Sequence, residues 1–125
     1  MFPCTRYETK MIMEGKVVGF ARKYPGGCPH SPGSEIILTS KYLDRSGRNI
    51  PFAKVEVQTV RPGTVGSFRR DSIIAEMDGY GSGEHWFGQM RQMYGGLKSD
   101  EEMYHMKFRV KEIDKKAGQR GDVDK

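Results

Sequence analysis

A chain of 125 residues has the size of one ordinary domain, and its 36% hydrophobic content with six Phe, six Tyr and one Trp excludes a disordered chain. No stretch approaches the roughly 20 apolar residues of a membrane span, and Met1-Phe2-Pro3-Cys4-Thr5-Arg6 lacks the apolar run of a signal peptide. The excess of 21 Lys and Arg over 16 acidic residues, a net charge of +5, makes nucleic acid the leading partner class, and two cysteines are too few for a disulfide scaffold, so a reduced, cytoplasmic protein is expected.

Residues 6–14 read as a short helix with Tyr7, Met11 and Ile12 on one side and Gly15 at its C′ position. Val17 to Ala21 reads as a short strand. Three prolines and three glycines over residues 24–33 specify a long loop. Glu35 to Ser40 is a strand, residues 44–51 a polar turn, and Ala53 to Arg61 a half-buried strand in which Val55, Val57 and Thr59 alternate with polar residues. Pro62 and Gly63 are expected to end it. Asp71 is placed to cap a helix over 72–77 with Ile73, Ile74 and Met77 inward, closed by Gly79. Ser82 caps a second helix, 83–94, whose Trp86, Met90 and Met93 recur at helical spacing before Gly95-Gly96 stops it. Met103 to Arg109 is the cleanest strand, with Tyr104, Met106, Phe108 and Val110 on one face and His105, Lys107 and Arg109 on the other. The last fifteen residues, Lys111 to Lys125, hold nine charges and read mostly as a solvated tail. The division is one domain, 1–112, and a charged tail, 113–125. Its class is α+β: a small, largely antiparallel sheet or barrel with short helices packed at one end.

Four segments in this order resemble the ASCH domain, over roughly residues 6–110. A short helix ends at Gly15, with a basic residue, Arg22, seven positions on. Pro32-Gly33-Ser34-Glu35-Ile36-Ile37-Leu38 is similar to the turn leading into a barrel strand. Ala75-Glu76-Met77-Asp78-Gly79-Tyr80 is similar to an alanine–acid–glycine–aromatic run and is followed by the helix Glu84 to Met93. The strand Met103 to Arg109 closes the set. The resemblance implies a PUA-like small β-barrel with a cleft between barrel and helices, and RNA-related binding. Some members are amidohydrolases acting on acylated cytidine nucleosides, and others have been described as ribonucleases. The amidohydrolase site implied by position uses a lysine, a threonine and an acid; here those positions are Val17, Phe20 and Asp78. Val17 and Phe20 can neither transfer a proton nor attack, and Lys16, the neighbouring lysine, points to the opposite face in a strand.

Lys16, Arg22 and Lys23 are candidates to line the cleft and meet phosphate, Arg22 as a bidentate fork. Asp78 is placed to orient Arg22 or accept from a base edge, and Tyr80 and Tyr24 to stack on bases. Arg69-Arg70, with Arg61 near in sequence, form the densest basic cluster. Ordinary solvated charge and rim packing are the competing readings for each. Trp86 and the methionine stripe read as core. His30, His85 and His105 have no ligand spacing with Cys4 or Cys28, so no metal and no cofactor are expected. Gly79-Tyr80-Gly81-Ser82-Gly83 does not have the phosphate-loop spacing and reads as a flexible turn. The expected function is an RNA- or nucleotide-binding ASCH-like domain with a basic cleft, its ligand RNA or a modified nucleotide. The alternatives are a hydrolase, either a ribonuclease or an amidohydrolase with a rewired site, and an adaptor that meets an acidic protein.

Overall fold

The structure, a computed structural model, describes residues 2–114. In chain order it contains β1 (Phe2–Pro3), α1 (Arg6–Met13), β2 (Gly19–Arg22), β3 (Glu35–Ser40), β4 (Ile50–Thr64), α2 (Val65–Arg69), α3 (Ser72–Met77), α4 (Gly83–Tyr94) and β5 (Glu102–Ile113). The strands form one curled sheet in the order β1-β3-β4-β5-β2, antiparallel except where β1 runs parallel to β3. Register shifts at Leu38/Thr39, Lys54/Val55 and Val57/Thr59 mark irregularities of the kind that bend strands, and the sheet closes into a half-barrel with the four short helices against it. The fold is an α+β small half-barrel with short helices packed against it.

The helices begin and end where their capping chemistry dictates. Thr5 accepts from the Glu8 amide while Glu8 accepts from the Thr5 amide, a reciprocal capping box that starts α1. Asp71 caps α3 and Ser82 caps α4 as the sequence predicts, and α4 stops where Gly95 takes the left-handed conformation. Two apolar clusters result. Phe2, Phe20, Leu38, Phe52 and Phe108 fill the curled sheet, and Trp86, Phe68, Ile74, Met90 and Met103 join the helices to its other end. Cys4 and Cys28 are both free thiols. No helix among the described residues is long and apolar enough to cross a membrane.

Several sequence expectations are corrected. β4 does not end at Pro62 and Gly63 but runs through both to Thr64. β3 stops opposite Glu56, so this part of β4 has only β5 beside it, and a residue without an N–H is tolerated there. Gly63 is required because the Phe68 ring lies 2.6 Å from where a Cβ would stand. The residues that follow form α2, which had no signal in hydrophobic periodicity; it starts with a capping box between Thr64 and Ser67. Ile73, expected inward, is 61% exposed, because α3 is short and turns Ile74 and Ala75 fully inward with Met77 packed partly against the same cluster. β2 is displaced to Gly19–Arg22, and β4 begins at Ile50, inside the expected polar turn. His105, expected on the outer face of β5, is 2% exposed. β5 extends to Ile113, one residue past the expected domain end at 112; residues 115–125, on which most of the expected tail falls, lie outside the described residues.

Candidate functional site

A groove runs along the side of the molecule between the helices α1 and α4 and the β1 edge of the sheet. It consists of three adjoining hollows. The first, about 540 Å³, lies between Arg6 and Lys10 of α1 and Gln89 and Gln92 of α4. The second, about 350 Å³, shares Thr5 and Met93 with the first and is bounded by Arg22, Lys41, Tyr42, Asn49 and Tyr94. The third, about 390 Å³, shares Pro3 and Arg22 with the second and reaches Lys23, Tyr24 and His30. Among the described residues, five cations line the groove and no carboxylate does. Three of those cations, Arg6, Lys10 and Lys41, take part in none of the ion pairs among the described residues.

Arg22 separates the second hollow from the third and is anchored from beneath. Its Nη2 donates to Glu8 Oε1 at 2.6 Å and its Nη1 to Glu8 Oε2 at 2.9 Å, a bidentate pair in which both side chains are nearly buried. A further bond from Nη1 reaches the Ala21 carbonyl at 3.0 Å, and the guanidinium lies over the rings of Phe2 and Phe20, 4.6 and 5.4 Å from their centroids. Burial opposes the charge on Arg22, but the Glu8 carboxylate, through charge and hydrogen bonds, outweighs it and holds the guanidinium protonated. Cys4 is buried close by; burial first, then the Glu8 charge, pushes its thiol up and away from reactivity. Burial also pushes the Tyr24 hydroxyl up to about 12, so it is a neutral phenol in the third hollow.

Of the residues singled out by sequence, Arg22 and Lys23 line the groove, and Tyr24 with them. The Lys23 amide donates to Tyr94 Oη at 2.9 Å, and its Nζ reaches Glu101 at 3.1 Å. The others lie elsewhere. Lys16 is exposed beyond the end of α1 and pairs with Glu14 at 3.4 Å. Arg69 makes two bonds to Glu84 and lies 4.1 Å above the Phe87 ring, while Arg70 is exposed. Arg61 pairs with Asp71 at 3.0 Å. Asp78 does not orient Arg22: its Oδ1 is 2.7 Å from His105 Nε2, and its Oδ2 accepts from Trp86 Nε1 at 3.1 Å. Burial pushes its carboxyl up, opposed by His105 and Trp86. This contact ties the α3–α4 junction to β5, and Gly19 of β2 makes room for it, since a Cβ there would stand 2.7 Å from both Asp78 Oδ1 and His105 Nε2. Tyr80 is buried and stacks on Tyr7 at 4.9 Å. Val17 and Phe20 are buried in the sheet core. Among the described residues no group of three His, Cys, Asp or Glu side chains could hold a metal ion.

Sequence reasoning missed Glu8, Arg6, Lys10, Lys41, Tyr42 and Asn49. Arg6 and Lys10 carry a recoverable signal, since four residues apart on one helix they share a face, as Gln89 and Gln92 do at three apart. Lys41, Tyr42 and Asn49 lie in the connection from β3 to β4 and carry no pattern; only the fold brings them to α1.

No family model matches the chain, and no curated protein sequence matches it significantly. The solved structures do give likenesses. Protein EF3133 from Enterococcus faecalis, described under the family model DUF984, superposes with a TM-score of 0.63 at 11% identity, covering 88% of this chain and 70% of that one. A point mutant of ZmASCH from Zymomonas mobilis superposes with a TM-score of 0.58 at 12% identity, covering 91% of this chain and 75% of that one. These likenesses show an ASCH-like fold.

Proposed function

We propose that the chain is an RNA- or nucleotide-binding domain whose ligand lies in the groove between α1, α4 and the β1 edge. The observation that carries this reading is the distribution of partnered and unpartnered charge. Lys16, Lys23, Arg61 and Arg69 are matched by a carboxylate, whereas Arg6, Lys10 and Lys41, like Arg70, enter no ion pair among the described residues; what sets the three apart is that they line one groove in which no carboxylate stands among the described residues. Cations already paired gain little from a phosphate, because the carboxylate must first be displaced; unpaired ones gain the whole interaction. The amides of Gln89, Gln92 and Asn49 supply both donors and acceptors for base edges or sugar hydroxyls. The burial of Val17 and Phe20 at the amidohydrolase positions supports binding over that chemistry.

The test is fluorescence anisotropy of a labelled single-stranded RNA across a salt series. The parent protein is expected to bind with a marked salt dependence. Replacing Arg6, Lys10 and Lys41 together by Ala is expected to shallow the slope of log affinity against log salt by about 2, from roughly 0.7 per lost phosphate contact on a single strand. Replacing Arg69, whose charge Glu84 already matches, is expected to leave that slope nearly unchanged. The reverse ranking, or no binding at low salt, would overturn the reading.

A further inference from the structure

The groove offers several aromatic rings, which differ in what holds the groups beside them. Tyr7 donates its hydroxyl to the Gly79 carbonyl and stacks on Tyr80. Tyr94 accepts from the Lys23 amide, and the Lys23 Nζ that lies 5.5 Å from its ring is held there by Glu101 at 3.1 Å. Tyr24 meets His30 at 5.9 Å and Tyr104 at 6.2 Å, centroid to centroid. Tyr42 has no aromatic neighbour among the described residues, and its hydroxyl enters no hydrogen bond among them. It packs partly against the sheet core, and two cations lie over it, Arg6 Cζ at 5.3 Å and Lys41 Nζ at 5.5 Å from the ring centroid.

Resting on the proposed groove reading, we propose that Tyr42 is the stacking platform for one base of a single-stranded RNA threaded along the groove, with Arg6 and Lys41 meeting the phosphates on either side of it. The platform is fixed from below. Its backbone amide donates to Ser40 Oγ at 3.1 Å, Ser40 is buried and bonded to Thr9 Oγ1 of α1 at 2.8 Å, and the next residue, Leu43, is fully buried. A ring held this way costs little ordering entropy on binding. Both cations lie over the ring within cation–π range, on exposed flexible stems and outside every ion pair among the described residues, so a base that stacks on Tyr42 displaces them toward its flanking phosphates. Asn49 in the same hollow presents an amide that can pair with a base edge.

A strand rather than a free nucleotide follows from the shape. The Tyr42 hollow is open to a neighbour on both sides, through Thr5 and Met93 toward Lys10 and through Pro3 and Arg22 toward Lys23. Unpaired Lys10 lies on one side and amide-bearing Gln89 and Gln92 beside it, which is more groove than a mononucleotide can fill.

The experiment compares labelled decauridylate and free uridine monophosphate on the parent, Tyr42→Ala, Tyr42→Phe, Tyr42→Trp, Arg6→Ala and Lys41→Ala, with circular dichroism to verify each fold. Tyr42→Ala is expected to weaken decauridylate binding about tenfold without changing its salt slope, and Tyr42→Phe to bind within about twofold of the parent, because the ring and not the hydroxyl carries the contact. Decauridylate is expected to quench the added indole of Tyr42→Trp, since Trp86 is fully buried and contributes a constant background. Arg6→Ala and Lys41→Ala are each expected to lower the salt slope by about 0.7. If Tyr42→Ala binds as the parent does while the two cation variants weaken binding, the platform is wrong and the groove reading survives. If uridine monophosphate binds as tightly as decauridylate, the threaded strand is wrong. If the parent does not bind decauridylate at all, the groove reading itself is overturned, and the platform with it.

Discussion

At the scale of single residues, the contact between Glu8 and Arg22 decides the floor of the groove. Two nearly buried charges are tolerable only because each satisfies the other in bidentate geometry, with the Thr5 amide and the Ala21 carbonyl taking remaining hydrogen bonds. Glu8→Gln keeps the shape and the helix cap but leaves the Arg22 charge unmatched, and is expected to lose about 3–5 kcal/mol of stability. Adding Arg22→Met to it is expected to restore part of that loss, since the unmatched buried charge is gone and only the neutral amide at position 8 is left short of a partner. Urea denaturation followed by Trp86 fluorescence measures both; a loss below about 1 kcal/mol in Glu8→Gln would contradict the burial argument. Arg22 was legible in the sequence because it stands seven residues after Gly15. Glu8 was not, because a glutamate in the first turn of a short helix looks like a solvated charge favourable to the helix dipole. Asp78 was singled out for the right reason, a carboxylate at a helix C-terminus needing a partner, but the partner is His105. Strand alternation had placed that histidine on the outer face, and the helices that cover this face of β5 are invisible in β5 itself.

At the scale of elements, local chemistry was the reliable guide. The caps at Asp71 and Ser82 and the glycines at 15, 79 and 95 fix helix ends within the chain's own neighbourhood, and these match the structure. The apolar run Ile36-Ile37-Leu38 likewise marks β3, whose expected bounds, 35–40, are the observed ones. What failed was the stop signal at Pro62-Gly63, because whether proline breaks a strand depends on whether that edge has a neighbour, and that is a property of the sheet. Gly63 then serves packing. The Phe68 ring lies over its Cα, and Gly63→Ala places a methyl where carbons of that ring sit at 2.6 and 2.7 Å. Phe68 is fully buried and cannot move freely, so the substitution is expected to cost about 1–3 kcal/mol, read as a lower midpoint in chemical denaturation. Pro62→Val, which returns an N–H at an edge position, is expected to be nearly neutral. A tolerated Gly63→Ala would mean that α2 is not held against β4 by this contact.

At the scale of the whole molecule, the groove exists because the chain's first residues are sewn into the sheet. Phe2 and Pro3 run parallel to Leu38 and Thr39 at the edge, and the Cys4 amide continues the pairing to the Thr39 carbonyl. This brings the start of α1 beside the β3–β4 connection and opposite the last turns of α4, three segments far apart in sequence. Charge excess pointed to a polyanion as the partner class, but composition cannot say which cations remain unpaired. The dense Arg69-Arg70 cluster drew attention by its sequence, and yet Arg69 is bound to Glu84. Arg6, Lys10 and Lys41, scattered along the chain, converge without carboxylate partners among the described residues. The most direct test of the account is an amide chemical-shift titration of the isotope-labelled protein with a short single-stranded RNA. The perturbed amides are expected to trace Thr5 to Lys10, Lys41 to Asn49 and Gln89 to Tyr94. Perturbations confined to the Arg69-Arg70 end of α2, with the groove amides unmoved, would contradict it.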